Sequence, residues 1–428
     1  MGLLCLVVWV LRGCLVYLAS PIHQQEYVSW LRYTFKTFLL HAGVSVKDRG
    51  LATSPEEAAR LVEGCNYVVA VVATGGSEEL ILSVVKAARG APVLIVAQPY
   101  ANSLPAALEA YPLLRGGNTA LVFLDSLDPS SVGAVRKLRS AVAGLRGAAK
   151  LRSARIGLIG EPSPWLVYSR TTLEKLRERL GAILVRIEME ELYELMDRAE
   201  PSEELVERIY HGAAAVDVPR GRVPNALRVY LALRSIVEKH RLDAVTVECF
   251  RLIKERGTTA CLALSLLNSE GVVAGCEADV PSTVTMLLLH TVSAGPVFMG
   301  NPSIVKGDKL MIAHCTAPIA MGRRYTLHSH FESGLGVGIS IQLEPGTRVT
   351  IARFDPEFRV LRVGRGVVEE SGLLSRLHCR TQLWIRLDGN AERIVEESIG
   401  NHYVVALGDH VDALRAAASI LGSSLDIL

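Results

Sequence analysis

The run YVVAVVA (67–73) is followed by Thr74-Gly75-Gly76 and then by Ser77-Glu78-Glu79. Unbroken apolar character over that length indicates a strand buried on both faces, as in a parallel sheet covered by helices. The glycines turn the chain, and Ser77 with two acidic residues behind it is expected to cap a helix. The same pattern recurs on both sides, in CLVYLAS (14–20), PVLIVAQ (92–98) and ALVFLD (120–125). An N-terminal α/β domain over residues 1–150 is therefore expected, with the small and basic stretch 144–154 as a link. Ahead of it, residues 1–12 read as an extra hydrophobic tail, because Arg12 falls near the middle of any membrane span drawn through to Ala19.

A second unit with the same alternation starts at RIGLIGE (155–161). Pro162-Ser163-Pro164-Trp165 forms a loop at the carboxyl end of that strand, a helix is expected over 172–180, and ILVRIEM (183–189) is the next strand. AVTVECF (244–250) closes at Glu248, at a carboxyl end where open α/β sheets present their ligands. After about residue 325 the texture changes. GVGISIQL (336–343), TRVTIARF (347–354), FRVLRVGRGVV (358–368) and TQLWIRL (381–387) are short and β-rich, with Gly, Pro or Asp at the turns. The fold class expected is thus α/β: two parallel-sheet domains, 1–150 and 151–310, then a β-rich, barrel-like C-terminal domain over 311–428 ending in a helix.

With 428 residues, half of them hydrophobic, and a mean hydropathy of +0.28, the chain can bury large cores. A net charge of +2 and no Lys/Arg stripe argue against a nucleic-acid partner. The eight cysteines form no CxxC pair, which fits reduced, mostly buried thiols in a cytoplasmic protein.

The polar residues with chemical potential sit in apolar surroundings. Glu277 follows GVVAGC, where a carboxylate is hard to explain as surface decoration; Asp279, two residues on, can be explained as a helix cap before Pro281-Ser282. His314 ends the apolar run KLMIAH, and His402 lies between Asn401 and Tyr403. Each histidine alone is explained as well by ordinary hydrogen bonding. Together with Glu277 they supply the mixed oxygen and imidazole donors that hold Mn²⁺, Co²⁺ or Zn²⁺. His328, His330 and Glu332 form a second polar cluster, in LHSHFESG.

These motifs resemble those of the L-fucose and L-arabinose ketol isomerases, most closely a divergent fucose-isomerase-like branch. The resemblance covers the organisation of residues 14–428 and the motifs between about 245 and 410. GCEADV (275–280) is similar to the segment bearing the first metal-binding glutamate, which implies that role for Glu277. IAHCTAP (312–318) and GNHYVVALGDH (400–410) resemble segments that supply histidine ligands, implying His314 and His402. Pro21-Ile22-His23-Gln24 resembles a sugar-contacting loop, implying His23 and Gln24, and Glu248 and Asn301 are further candidate substrate contacts. The resemblance implies a divalent metal, with Mn²⁺ the expected ion, a sugar of fucose or arabinose type, isomerisation through an enediol, and a homo-oligomer, hexameric in the family. No nucleic acid or membrane partner is expected. One departure stands out: where these enzymes carry a second acidic ligand, the chain reads Phe298-Met299-Gly300-Asn301. That departure keeps open the alternative of a sugar-binding or regulatory homologue impaired in catalysis.

Overall fold

The computed structural model describes residues 11–171 and 173–428, so residues 1–10 of the expected tail and Thr172 of the expected helix lie outside the described residues. The chain divides into two compact units, one of residues 1–150 with 412–424 and the other of residues 151–411 with 425–428.

In the first unit the buried strand Tyr67–Val72 sits at the centre of a five-stranded parallel sheet. Gly13–Leu18 and then Lys47–Ala52 flank it on one side, and Val93–Ala97 and then Thr119–Phe123 on the other. By chain position the order is 2-1-3-4-5, that of a doubly wound sheet with helices on both faces. Val68, Ala70 and Val72 meet Ile81 and Val84 of the following helix in one apolar cluster, as the unbroken run requires.

Three expectations are corrected here. Ser77 occupies the cap position of the helix Glu78–Ala87 but does not cap it; its hydroxyl turns back and donates to the Thr74 carbonyl at 2.7 Å. The stretch 144–154 is no link, because a single helix runs from Val132 to Ser153. Its small residues serve packing: a side chain at Gly144 would collide with the backbone of Ala413 and Ala417 in the helix Val411–Leu421. Finally, Cys14 and Cys65 are joined in a disulfide, so the expectation of reduced thiols fails for that pair. They stand 51 residues apart in sequence, and parallel pairing of Gly13–Leu18 with Tyr67–Val72 makes them neighbours.

The second unit begins with a four-stranded parallel sheet in the order Val273–Gly275, Ala244–Val247, Arg155–Ile159, Ile183–Ile187. Its helix Val280–Ser293 packs between that sheet and an antiparallel barrel. Around the barrel run Arg348–Phe354, Tyr403–Leu407, Val297–Lys306, Lys309–His314, Thr381–Leu387 and Val360–Gly372, and the last pairs with the first to close it. Ser424–Ile427 adds to the edge beside Val360–Gly372. The fold class is therefore as expected, parallel α/β sheets followed by a closed antiparallel barrel. The first two barrel strands, however, precede the change of texture near residue 325. Val297–Lys306 begins VFMG, a continuous apolar run that reads equally well as a parallel strand. No described helix is long and apolar enough to cross a membrane.

Candidate metal centre

The site grows from the turn after Val273–Gly275. Glu277 and Ala278 both take left-handed backbone conformations, with φ of 60° and 55°, which non-glycine residues adopt rarely and at a cost of about 1–3 kcal/mol each. Three backbone hydrogen bonds hold the turn: Ala278 N–H to Val247 O at 2.9 Å, Ser163 N–H to Glu277 O at 3.1 Å, and Asp279 N–H to Cys276 O at 3.2 Å. Asp279 then caps the helix Val280–Ser293, accepting from Ser282 N–H at 2.9 Å and from the Ser282 hydroxyl at 2.8 Å.

Two barrel strands deliver the imidazoles. His314 is the last residue of Lys309–His314 and pairs with Thr381, while His402 immediately precedes Tyr403–Leu407. Their rings lie 5.7 Å apart between centroids at 71°. Glu277, His314 and His402 each bring one donor atom into a group whose members all lie within 4.8 Å of one another. Residues from three distant stretches thus converge in one buried cluster.

His402 Nδ1 donates to Asp279 Oδ2 at 2.8 Å, so the helix cap also orients the ring. Its Nε2 is buried without a hydrogen-bond partner and lies 3.6 Å from Glu277 Oε1. Behind the pair stands Arg353, fully buried, donating to the carbonyls of Ile399 (2.8 Å) and His402 (2.6 Å) and to the hydroxyls of Ser282 (3.0 Å) and Ser169 (2.7 Å). On the other side the Trp165 indole N–H donates to Glu277 Oε2 at 2.7 Å, from the loop at the carboxyl end of Arg155–Ile159.

The electrostatics follow from these contacts. Burial pushes the Glu277 carboxyl up, but the close contact and charge of His402, with the Trp165 hydrogen bond, outweigh it and hold the group below the usual glutamate value. Burial pulls His402 down, yet Asp279 and Glu277 more than reverse that and raise it to about 9. His314 is lowered to about 3, by burial first and then by the charge of His402. The metal-free cluster therefore holds one imidazolium between two carboxylates and one neutral imidazole.

Beside the cluster lies a small pocket lined by Glu277, Asn301, His314, His330, Glu332 and Phe250, among others. Asn301 belongs to Val297–Lys306, and its Oδ1 is buried without a partner. Rings of Trp165, Phe250 and His330 stand edge to face in series, 4.6 and 5.9 Å apart. Burial, then the Glu277 charge, raises the Glu332 carboxyl, while burial lowers His330 to about 4.

The remaining candidates have the following surroundings. Glu248 precedes the helix Cys249–Arg256, and its Oε2 accepts from Glu161 N–H at 3.0 Å. His328 faces Asp217 at 3.4 Å, separated from His330 by the end of its strand. His23 and Gln24 belong to the first unit, between Gly13–Leu18 and the helix Gln25–His41, with the His23 ring 6.4 Å from that of Tyr27. Asp279 as partner of His402, Trp165 and Arg353 escaped sequence reasoning. The cap position and the Pro-rich loop were visible signals for the first two, and nothing local marks Arg353.

No family model matches the sequence. It is similar to proteins named sulfoquinovose isomerase. The protein from Alkalicoccus urumqiensis is 23% identical over 339 residues, 73% of either chain. That from Clostridium sp. (strain MSTE9) is 24% identical over 292 residues, 64% of either chain, and that from Priestia aryabhattai 18% over 278 residues, 62% of either. Among solved structures, the ABC domain in complex with L-Trp from Streptococcus pneumonia is 14% identical and covers 57% of this chain and 76% of its own, but its TM-score of 0.19 bears no weight. The relatives support kinship with the superfamily of fucose- and arabinose-isomerase-like sugar isomerases, and not with fucose isomerases in particular.

Proposed function

We propose that this protein is a metal-dependent aldose–ketose isomerase acting on a small sugar. The observation that carries the reading is the convergence of Glu277, His314 and His402 into one buried donor group beside a pocket, in a chain whose relatives are sugar isomerases. The residues fit a divalent cation: one carboxylate and two imidazoles suit Mn²⁺, and the unpartnered His402 Nε2 and Asn301 Oδ1 are buried polar atoms in need of a partner. When bound, such an ion supplies electrophilic polarisation of the oxygens on the two carbons that exchange oxidation state.

The chain's own residues do the rest. Isomerisation through an enediol moves one proton between adjacent carbons, and a positioned acid or base contributes about 10²–10⁴-fold. Glu277, held ionised, is suited to accept that proton. Glu332, lining the same pocket and pushed toward its protonated form, is suited to supply one to oxygen. Environments that drive two carboxyl groups in opposite directions are how one site separates base from acid. Asn301 can hydrogen-bond a sugar hydroxyl but cannot relay a proton, and the Trp165–Phe250–His330 wall offers rings to the sugar's C–H face. For the rest of the setting we propose a cytoplasmic homo-oligomer, with His23, Gln24 and Glu248 as further sugar contacts.

A specific observation favours a second reading, sugar binding without turnover. A Cβ at Gly300 would lie 2.6 Å from Ile312 Cγ2, which leaves no room for a carboxylate there, and Asn301 carries an amide. Incubation with L-fucose, L-arabinose, D-arabinose or sulfoquinovose plus Mn²⁺ in D₂O, followed by NMR, separates the two. Ketose carrying solvent deuterium at the transferred carbon supports the isomerase. Sugar bound without exchange supports the binding protein.

A further inference from the structure

Two of the five cysteines that line the pocket face each other and have no role in the chemistry above. Cys249 opens the helix after Ala244–Val247, and Cys276 follows Val273–Gly275, the parallel neighbour of that strand. Pairing of the strands sets both residues at the same sheet edge, and their Sγ atoms lie 2.6 Å apart although they are 27 residues distant in sequence. That separation is shorter than a relaxed contact between two thiols. Both residues are buried, at 4% and 5% exposure, and both line the pocket. Cys249 Sγ also accepts from Glu277 N–H at 3.4 Å, so the pair touches the strained turn itself. Independently, Cys14–Cys65 shows that the chain contains an oxidised pair.

We propose that Cys249 and Cys276 form a redox-modification site, a dithiol that closes to an intramolecular disulfide by exchange with a low-molecular-weight disulfide. One cysteine sulfur attacks the oxidant's S–S bond, forming a mixed disulfide and releasing one small thiol. The other cysteine displaces the second small thiol. One S–S bond is made and one broken, and the two hydrogens lost by the protein leave on the two small thiols. The new bond ties the strand end before Glu277 to the helix start after Glu248, bracing a turn otherwise held by backbone hydrogen bonds. This holds whether or not the protein is an isomerase, because it rests on the placement of the two sulfurs and not on the sugar chemistry.

The test uses the full chain treated with oxidised glutathione, blocked with N-ethylmaleimide under denaturing conditions, digested and analysed by mass spectrometry. A peptide pair linking Cys249 to Cys276, absent after dithiothreitol, is expected, and its closure should raise the melting temperature of the wild type. Cys276→Ser should lose both the linked pair and the shift in melting temperature while keeping Cys14–Cys65. Recovery of Cys249 and Cys276 as alkylated thiols from protein whose Cys14–Cys65 bond is intact would overturn the proposal. So would Cys276 linked to any other cysteine.

Discussion

Adding a divalent cation to the metal-free protein at neutral pH perturbs the one candidate ligand that must change its protonation state, His402. Its value of about 9 means that at pH 7 the ring is almost wholly imidazolium. Ligation needs it neutral, so binding must expel one proton. Glu277, lowered, is already a carboxylate, and His314, at about 3, is already neutral, so neither adds to the count. Two pH units at about 1.36 kcal/mol each make binding at pH 7 about 2.7 kcal/mol weaker, or about a hundredfold, than above pH 9. Calorimetric titration with Mn²⁺ in buffers of different ionisation enthalpy reads the proton count. The expected result is one proton near pH 7, with affinity rising about tenfold per pH unit until the ring's own value is reached. Asp279→Asn removes the main upward push and should bring the count toward zero. A wild-type count of zero, with affinity flat across that range, would refute the reasoning.

Three further outcomes follow from the same contacts. In the metal-free protein the raised His402 contributes stability that is full below the ordinary histidine value and fades as pH rises through about 9. The depressed Asp279 contributes above the ordinary aspartate value and loses its share as pH falls through its folded value, so urea midpoints should drop at both ends. Arg353→Met removes the buried cation 3.9 Å from Asp279 and leaves the carbonyls of Ile399 and His402 without their donor, and should cost about 3–5 kcal/mol of stability in denaturant titrations, whereas a loss below about 1 kcal/mol would contradict the role given to Arg353. Because Trp165 donates to Glu277, Mn²⁺ binding should change tryptophan fluorescence in the wild type and leave Trp165→Phe silent.

What could be read in advance was whatever leaves a local trace. YVVAVVA and its companions carry their burial in every residue, so the parallel sheets were legible, and the alternating runs after residue 325 announced the barrel. VFMG did not, because four apolar residues look the same in a barrel strand as in a parallel one. Glu277, His314 and His402 were marked by apolar approaches and by resemblance, but the two histidines converge because Val297–Lys306 pairs with both of their strands, which no local pattern encodes. The His402–Asp279 pair spans 123 residues, and Asp279 already had a sufficient local explanation as a cap. Arg353 sits in TRVTIARF as an ordinary alternating residue, yet it is fully buried among Ser169, Ser282 and the carbonyls of Ile399 and His402. The Cys14–Cys65 pair was hidden for the same reason, since strand neighbourhood rather than spacing brings it together.

The central claim is that Glu277, His314 and His402 hold one divalent ion. Its most direct test is equilibrium dialysis against Mn²⁺ with elemental analysis of the wild type and of Glu277→Gln, each checked for its folded state. The account predicts one ion per chain in the wild type and weak or no binding in the folded variant. A wild type that takes up no metal, or a variant that binds it as tightly, would contradict it.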